Sequence, residues 1–275
     1  MARPSFARPA FRAAGRPATA RTGSRIAAVV GALLGLAVAL TVFAPARWLT
    51  RSIESASAGH LLLAEPRGTV WNGSAQLVLA GGSGSTDAAA LPERIVWRLR
   101  PALTGVRLRL QAACCTPQPL EVFASIGFGG VRIAVQDGGS AWPATLLTGL
   151  GTPFNTLRPE GTLALRTGGL VLQLAEGRLV MAGRADIDIQ NTASSLSQLR
   201  PLGSYRLSLI GGDAPQLQLS TLDGPLRLSG EGRWVGNRLR FVGEARALPE
   251  REAALSILLN LLGRRDGARS VITLG

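Results

Sequence analysis

The chain has 275 residues, enough for one large domain or two smaller ones, and carries a net charge of +13 from 30 basic residues, all Arg, and 17 acids. A strongly basic chain invites a nucleic-acid reading, but six of the Arg precede residue 26 without an acid among them, and the remaining 24 against 17 acids leave +7, spread thinly. No tight Arg cluster with interleaved aromatics appears, so no nucleic-acid partner is expected.

The basic start (Arg3, Arg8, Arg12, Arg16, Arg21, Arg25) leads into Ile26–Ala44, 19 residues without a charge. That is about the length that crosses ~30 Å of hydrocarbon as a helix. The reading is a retained anchor over residues 26–44, with residues 1–25 as a cytoplasmic basic tail and everything from about residue 46 outside the cytoplasm. A cleaved signal peptide is the rival; its apolar core usually runs only ~7–15 residues, and Pro45 disfavours cutting beside Ala44 and Ala46. Gly31 and Gly35, four apart, would let a second helix approach closely. Arg47 and Trp48 look like interfacial anchors. Residues 45–60 read as an amphipathic extension with Trp48, Leu49 and Ile53 on one side.

From residue 61 to 275 nearly everything is strand-like. "GTVWNG" (Gly68–Gly73) reads as strand followed by an Asn-Gly hairpin turn, with Trp71 as a core or sheet-mouth anchor. Period-two alternation runs through "VRLRLQ" (106–111), "LVLQLA" (170–175), "ADIDIQ" (185–190), "YRLSLI" (205–210) and "QLQLS" (216–220). Each strand has one apolar and one polar face, and Gly-rich turns separate them, which gives a long antiparallel meander. Two segments break the rhythm. Pro143 opens a helical stretch that stops at Gly151. Pro249 opens a stronger one that stops at Gly263, where Leu255, Leu258, Leu259 and Leu262 form one stripe, expected to pack on the sheet. The fold class is therefore mostly β: one N-terminal transmembrane helix, then a long curved antiparallel sheet with two short helices.

An internal duplication is a further expectation. "NGSAQLVL" (72–79) resembles "AGRADIDI" (182–189), "LRPALTGVRLRL" (99–110) resembles "LRPLGSYRLSL" (199–209), and the Pro-led helices follow in the same order. The implied repeat units are 68–151 and 177–263.

Residues that could carry chemistry are few. His60 is the lone histidine, and no G-x-S-x-G elbow exists to use it. Cys114 and Cys115 are adjacent; the strained ring argues against a disulfide between them, leaving two small half-buried strand residues, intermolecular pairing or redox sensitivity. Asp186 and Asp188 share one strand face and read as solvated. "GGSGST" (81–86) lacks the Lys and frame of a phosphate loop, and the Asn72-Gly73-Ser74 sequon is explained by turn chemistry. No catalytic, cofactor-binding or metal site and no cofactor is expected. An open apolar sheet face would be a functional surface.

"RGTVWNGSA" (Arg67–Ala75), "LRP" followed by "YRLSL", and the closing "ALPEREAALSILLNLLGRRDG" (Ala247–Gly267), set behind a basic tail and an anchor, resemble the type II secretion system protein N family over most of residues 26–263. The resemblance implies a non-enzymatic, single-pass inner-membrane accessory component that supports export of folded proteins across the Gram-negative outer membrane. Its partners would be other secretion subunits. The hairpin style is also similar, more loosely, to AsmA-like envelope proteins, which implies the alternative of a periplasmic lipid-binding or lipid-transfer module. The vicinal cysteines and the first 25 residues depart from the family pattern.

Overall fold

The computed structural model describes residues 21–127, 130–175, 178–235 and 238–275. The tail expected at residues 1–25 lies almost wholly outside them. The chain divides into two units, one ending at Ala44 and one beginning at Pro45.

The first unit is helix α1 (Arg21–Val42), whose Val29, Leu33, Leu34, Leu36, Val38 and Leu40 are all exposed. Side chains added at Gly31 or Gly35 would meet nothing within 4 Å. Among the described residues no helix is long and apolar enough to cross a membrane. The span expected at 26–44 therefore has no support in the structure beyond the helix itself.

The second unit opens with helix α2 (Ala46–Ala56), shorter than the expected 45–60 because Ala58 and Gly59 take positive φ and end it. Ala46 and Thr50 are buried, and Leu49 and Ile53 pack beside them. Trp48 is not on that side: it is 47% exposed. Positions 46, 49, 50 and 53 follow the i, i+3, i+4, i+7 rule, and residue 48 falls off that stripe.

Fifteen strands follow among the described residues: β1 (Leu61–Gly68), β2 (Asn72–Ala80), β3 (Ala88–Ala102), β4 (Gly105–Ala112), β5 (Leu120–Gly127), β6 (Gly130–Val135), β7 (Gly138–Pro143), β8 (Glu160–Ala175), β9 (Arg178–Ala193), β10 (Gly203–Gly212), β11 (Gln216–Asp223), β12 (Leu226–Val235), β13 (Arg238–Ala247), β14 (Arg264–Asp266) and β15 (Arg269–Leu274). They form one antiparallel sheet in which sequence neighbours are almost always spatial neighbours. Two departures occur. β6 and β7 pair with successive stretches of the long β8, and β15 lies between β13 and β14. All five alternating segments read from the sequence lie in strands. The β1 edge is blunted: the register shifts between Ala64 and Arg67, Glu65 has φ +48°, and Pro66 has no N–H to offer.

Helices cover the apolar face at two places. In the first core, Leu63, Ala75, Leu91, Ile95 and Trp97 meet Ala46 of α2 and Leu146 of the 3-10 turn Ala144–Leu150. In the second, Leu202, Leu226 and Ala245 meet Leu255, Leu258 and Leu259 of α4 (Glu252–Leu262). The expected stripe thus packs on the sheet, with Leu262 at its margin. The buried Ser270 hydroxyl donates to the Leu259 carbonyl at 2.6 Å and pins α4 to β15. Besides these, α3 (Phe154–Leu157) makes a single turn that the sequence reading did not anticipate, and a 3-10 turn at Pro249–Arg251 leads into α4.

Of the segments proposed as a duplication, 72–79 and 182–189 lie in β2 and β9. Leu99–Pro101 lies within β3, whereas Leu199–Pro201 lies in the connection before β10.

Candidate functional site

The "GTVWNG" corner is a three-residue loop between β1 and β2, not an Asn-Gly turn. Gly68 pairs with Gly73, so Asn72 and Gly73 already belong to β2. Val70 and Trp71 occupy the tip, and the Thr69 N–H donates to the Asn72 carbonyl at 2.8 Å. Gly68 has φ +85°, and a Cβ there would strike the Asn72 carbonyl. Trp71 is half-buried at the sheet mouth, and its carbonyl accepts from the Leu99 N–H at 2.7 Å. The core anchor is a different residue, Trp97 on β3, 2% exposed. Its ring lies against Gly73, where a Cβ would overlap it.

The polar face over β8–β10 corrects another expectation. Asp188 is not solvated: it is 2% exposed. Arg206 donates to both its oxygens at 2.6 and 2.8 Å, and Arg166 stands 3.5 Å away. The Arg206 hydrogen bonds hold the Asp188 carboxyl below its ordinary range, against the opposing effect of burial. Asp186 receives Arg184 at 2.8 Å and the Ser208 hydroxyl. Burial pushes its pKa up, but the hydrogen bonds from Ser208 and Arg184 outweigh that and leave it lowered. Registry makes the network: Ala164, Asp188 and Arg206 stand in one row, and Arg166, Asp186 and Ser208 in the next. Two carboxylates so clamped are structural ion pairs, ill-suited to exchanging protons near neutral pH. Burial likewise pushes the Tyr205 hydroxyl well above its usual range; it donates to the Leu226 carbonyl at 3.1 Å.

Cys114 and Cys115 form a vicinal disulfide. The expectation against it judged the pair in isolation. The tight turn at 113–115, in which Cys115 and Thr116 N–H both donate to the Ala112 carbonyl at 3.0 and 2.9 Å, folds the chain so that the two sulfurs meet. Cys115 is buried in the first core, Cys114 is exposed, and the Cys115 carbonyl accepts from the Ala141 N–H of β7 at 2.8 Å.

His60 sits at a turn with Nδ1 3.2 Å from the Ala80 carbonyl, beside Gly82. The 81–86 segment is a loop closed by the Gly81 N–H to the Asp87 carbonyl. Among the described residues no three His, Cys, Asp or Glu side chains are placed to hold a metal ion.

The remaining candidate is the apolar face itself. The helices of the sheet unit pack against β1–β3, β8 and β12–β15. Between these plugs Val122, Ile133, Leu172, Leu207, Leu217 and Leu219 share one face by register and are only half-buried. A separate cleft of about 1010 Å³ over β11–β13 and β15 is lined by polar side chains such as Gln218, Glu231 and Arg233 together with Val235, Val242 and Val271.

These features define a single-sheet protein whose distinctive parts are surfaces. A family model for type II secretion system protein N matches residues 60–272, from the start of β1 into β15. The chain belongs to that family, and membership points to a role in type II secretion alongside other components of the system. No curated protein matches it, and no solved structure does.

Proposed function

We propose that this chain is a non-catalytic accessory component of the type II secretion system, held in the inner membrane by residues 26–44 with its N-terminus in the cytoplasm and its sheet in the periplasm. The observation that carries the reading is the family match, which spans almost the whole sheet. The uncharged run of 26–44 behind a basic tail supports the anchor and its orientation. Exposed Arg47 and Trp48 suit the interface. The sheet would serve partner subunits through its edge and apolar face. Deletion of the gene leaves the secreted proteins trapped in the periplasm; normal export from the deletion strain would overturn the reading. A phosphatase fused after Ala46 is active, whereas activity of a cytoplasmic reporter at that point would reverse the topology.

The half-buried apolar strip between the two plugs favours a second reading, a lipid-binding module of the AsmA-like kind. Lipid co-purifying with the full chain, and lost when Leu207 and Leu217 become Asp, supports it. A chain that carries no lipid refutes it.

A further inference from the structure

On the polar face of β3 and β4 the sheet sets like charges against each other. Arg98 lies directly opposite Arg109, and Arg100 opposite Arg107. Such pairs, roughly 5 Å apart across strands, weaken a sheet. The next row adds Arg132, reached through Gly105 and Ser125. Glu121 neutralises Arg109 at 2.6 Å. Arg98, Arg100, Arg107 and Arg132 are exposed and enter no ion pair or side-chain hydrogen bond among the described residues. The same face over β8–β10 is treated in the opposite way, with acids set between its arginines. An opposed pair recurs on the same face at Arg233 and Arg240 of β12 and β13; what sets the β3–β4 corner apart is its place in the chain.

That corner is where the chain enters the sheet unit. Pro45, the residue after the α1 segment, bridges to Thr69. The same loop carries Trp71, which bonds to Leu99, and leads into Asn72, which stands opposite Arg98. β3 then runs past that loop to Ala102, and the turn into β4 holds Leu103 out in solvent, 107% exposed. The β5–β6 turn reaches the same end, since Gly105 is level with Ser125, and there Ile126 is 80% exposed. An apolar tip with unpaired guanidinium groups on one face behind it, at the end where the chain enters the sheet unit, matches a bilayer surface bearing anionic headgroups.

We infer that the β3–β4 and β5–β6 tips form a second membrane contact: Leu103 and Ile126 enter the interface, and Arg98, Arg100, Arg107 and Arg132 bind phosphate groups of anionic phospholipids. The inference rests on the membrane-anchored reading above.

The test uses the full chain in lipid vesicles. Cys114 and Cys115 hold each other as a disulfide and leave no free thiol, so Leu103→Cys can be labelled alone with an environment-sensitive fluorophore. In vesicles containing phosphatidylglycerol the label emits to the blue and is quenched by nitroxides on the acyl chains. In pure phosphatidylcholine, in high salt, or with Arg98, Arg100, Arg107 and Arg132 changed to Gln, quenching falls severalfold. An unchanged melting curve for the Gln variant separates a lost contact from a lost fold. Aqueous emission in both lipids, with the chain retained in the vesicles through alkaline washing, overturns the inference and leaves the anchor standing. Release of the chain by that washing overturns the anchor, and the inference with it. Emission indifferent to lipid but shifted by an acidic protein would assign the corner to that protein and also overturn the inference.

Discussion

Trp97 and Val70 are tied across 27 residues of sequence: the indole Nε1 of Trp97 donates to the Val70 carbonyl at 3.0 Å. The bond holds the β1–β2 loop down on β3 and satisfies the only polar atom of a buried ring. Trp97→Phe keeps most of the packing and loses the bond, at a cost of about 1 kcal/mol. Trp97→Ala also empties the site and costs about 3–5 kcal/mol. Gly73→Ala forces the ring aside and costs about 1–3 kcal/mol. Urea midpoints measure all three, and a Gly73→Ala midpoint equal to wild type would contradict the described contact.

The clamp on Asp188 makes stability depend on pH in a set direction. The folded pKa lies below the ordinary carboxylate value, so the folded state gains from ionisation. That gain is complete above the unfolded pKa, about 3.9, and disappears as pH falls through the lower folded value. Asp186 acts in the same direction. Asp188→Asn destabilises the chain at neutral pH by about 2 kcal/mol, because Arg206 and Arg166 lose their partner but still reach water. Below about pH 4 the variant and the wild type converge. Thermal melts across that range check it; curves that stay parallel into acid would show that Asp188 has no part in the pH dependence.

The vicinal disulfide closes almost no loop, so it constrains the unfolded chain little. Replacing both cysteines by Ser lowers stability by about 1 kcal/mol, below the 2–4 kcal/mol typical of longer-range bridges. Mass spectrometry after alkylation finds no modified cysteine without reductant and two with it. Alkylation of the untreated protein would show the thiols to be free.

In α4 the buried Leu258 and its exposed neighbour Ile257 separate packing from propensity. Leu258→Ala opens the second core and costs about 3 kcal/mol. Ile257→Ala stays within about 0.5 kcal/mol. Equal effects would mean that α4 is not seated on β13–β15 as described.

The strands were legible because alternation marks them one by one, and the Leu255–Leu262 stripe because helical spacing does. Partners across strands were not. Asp188 reads as solvated in "ADIDIQ", and only the register of β8 and β10 brings Arg166 and Arg206 to it. Trp71 drew attention through its Gly and Asn neighbours. Trp97 carried the better signal, since Ile95, Trp97 and Leu99 alternate as a buried strand face does. Ring strain alone argues against the disulfide, and the turn at 113–115 that accommodates it leaves no mark in the sequence. The unpaired arginines were individually visible in "RLRPALTGVRLRL", but their opposition depends on a register fixed by the Ala102–Gly105 turn.

The consecutive strand order also sets how the chain acquires structure. Nearly every ladder joins a strand to the one made just before it, so each hairpin finds its partner already present as synthesis proceeds. Closure then comes in two late steps. The first core waits for residues 144–150 and the second for residues 252–262. Truncation anywhere between them would leave one end sealed and the other bare, which makes nascent chains arrested in that interval natural clients of holdase chaperones.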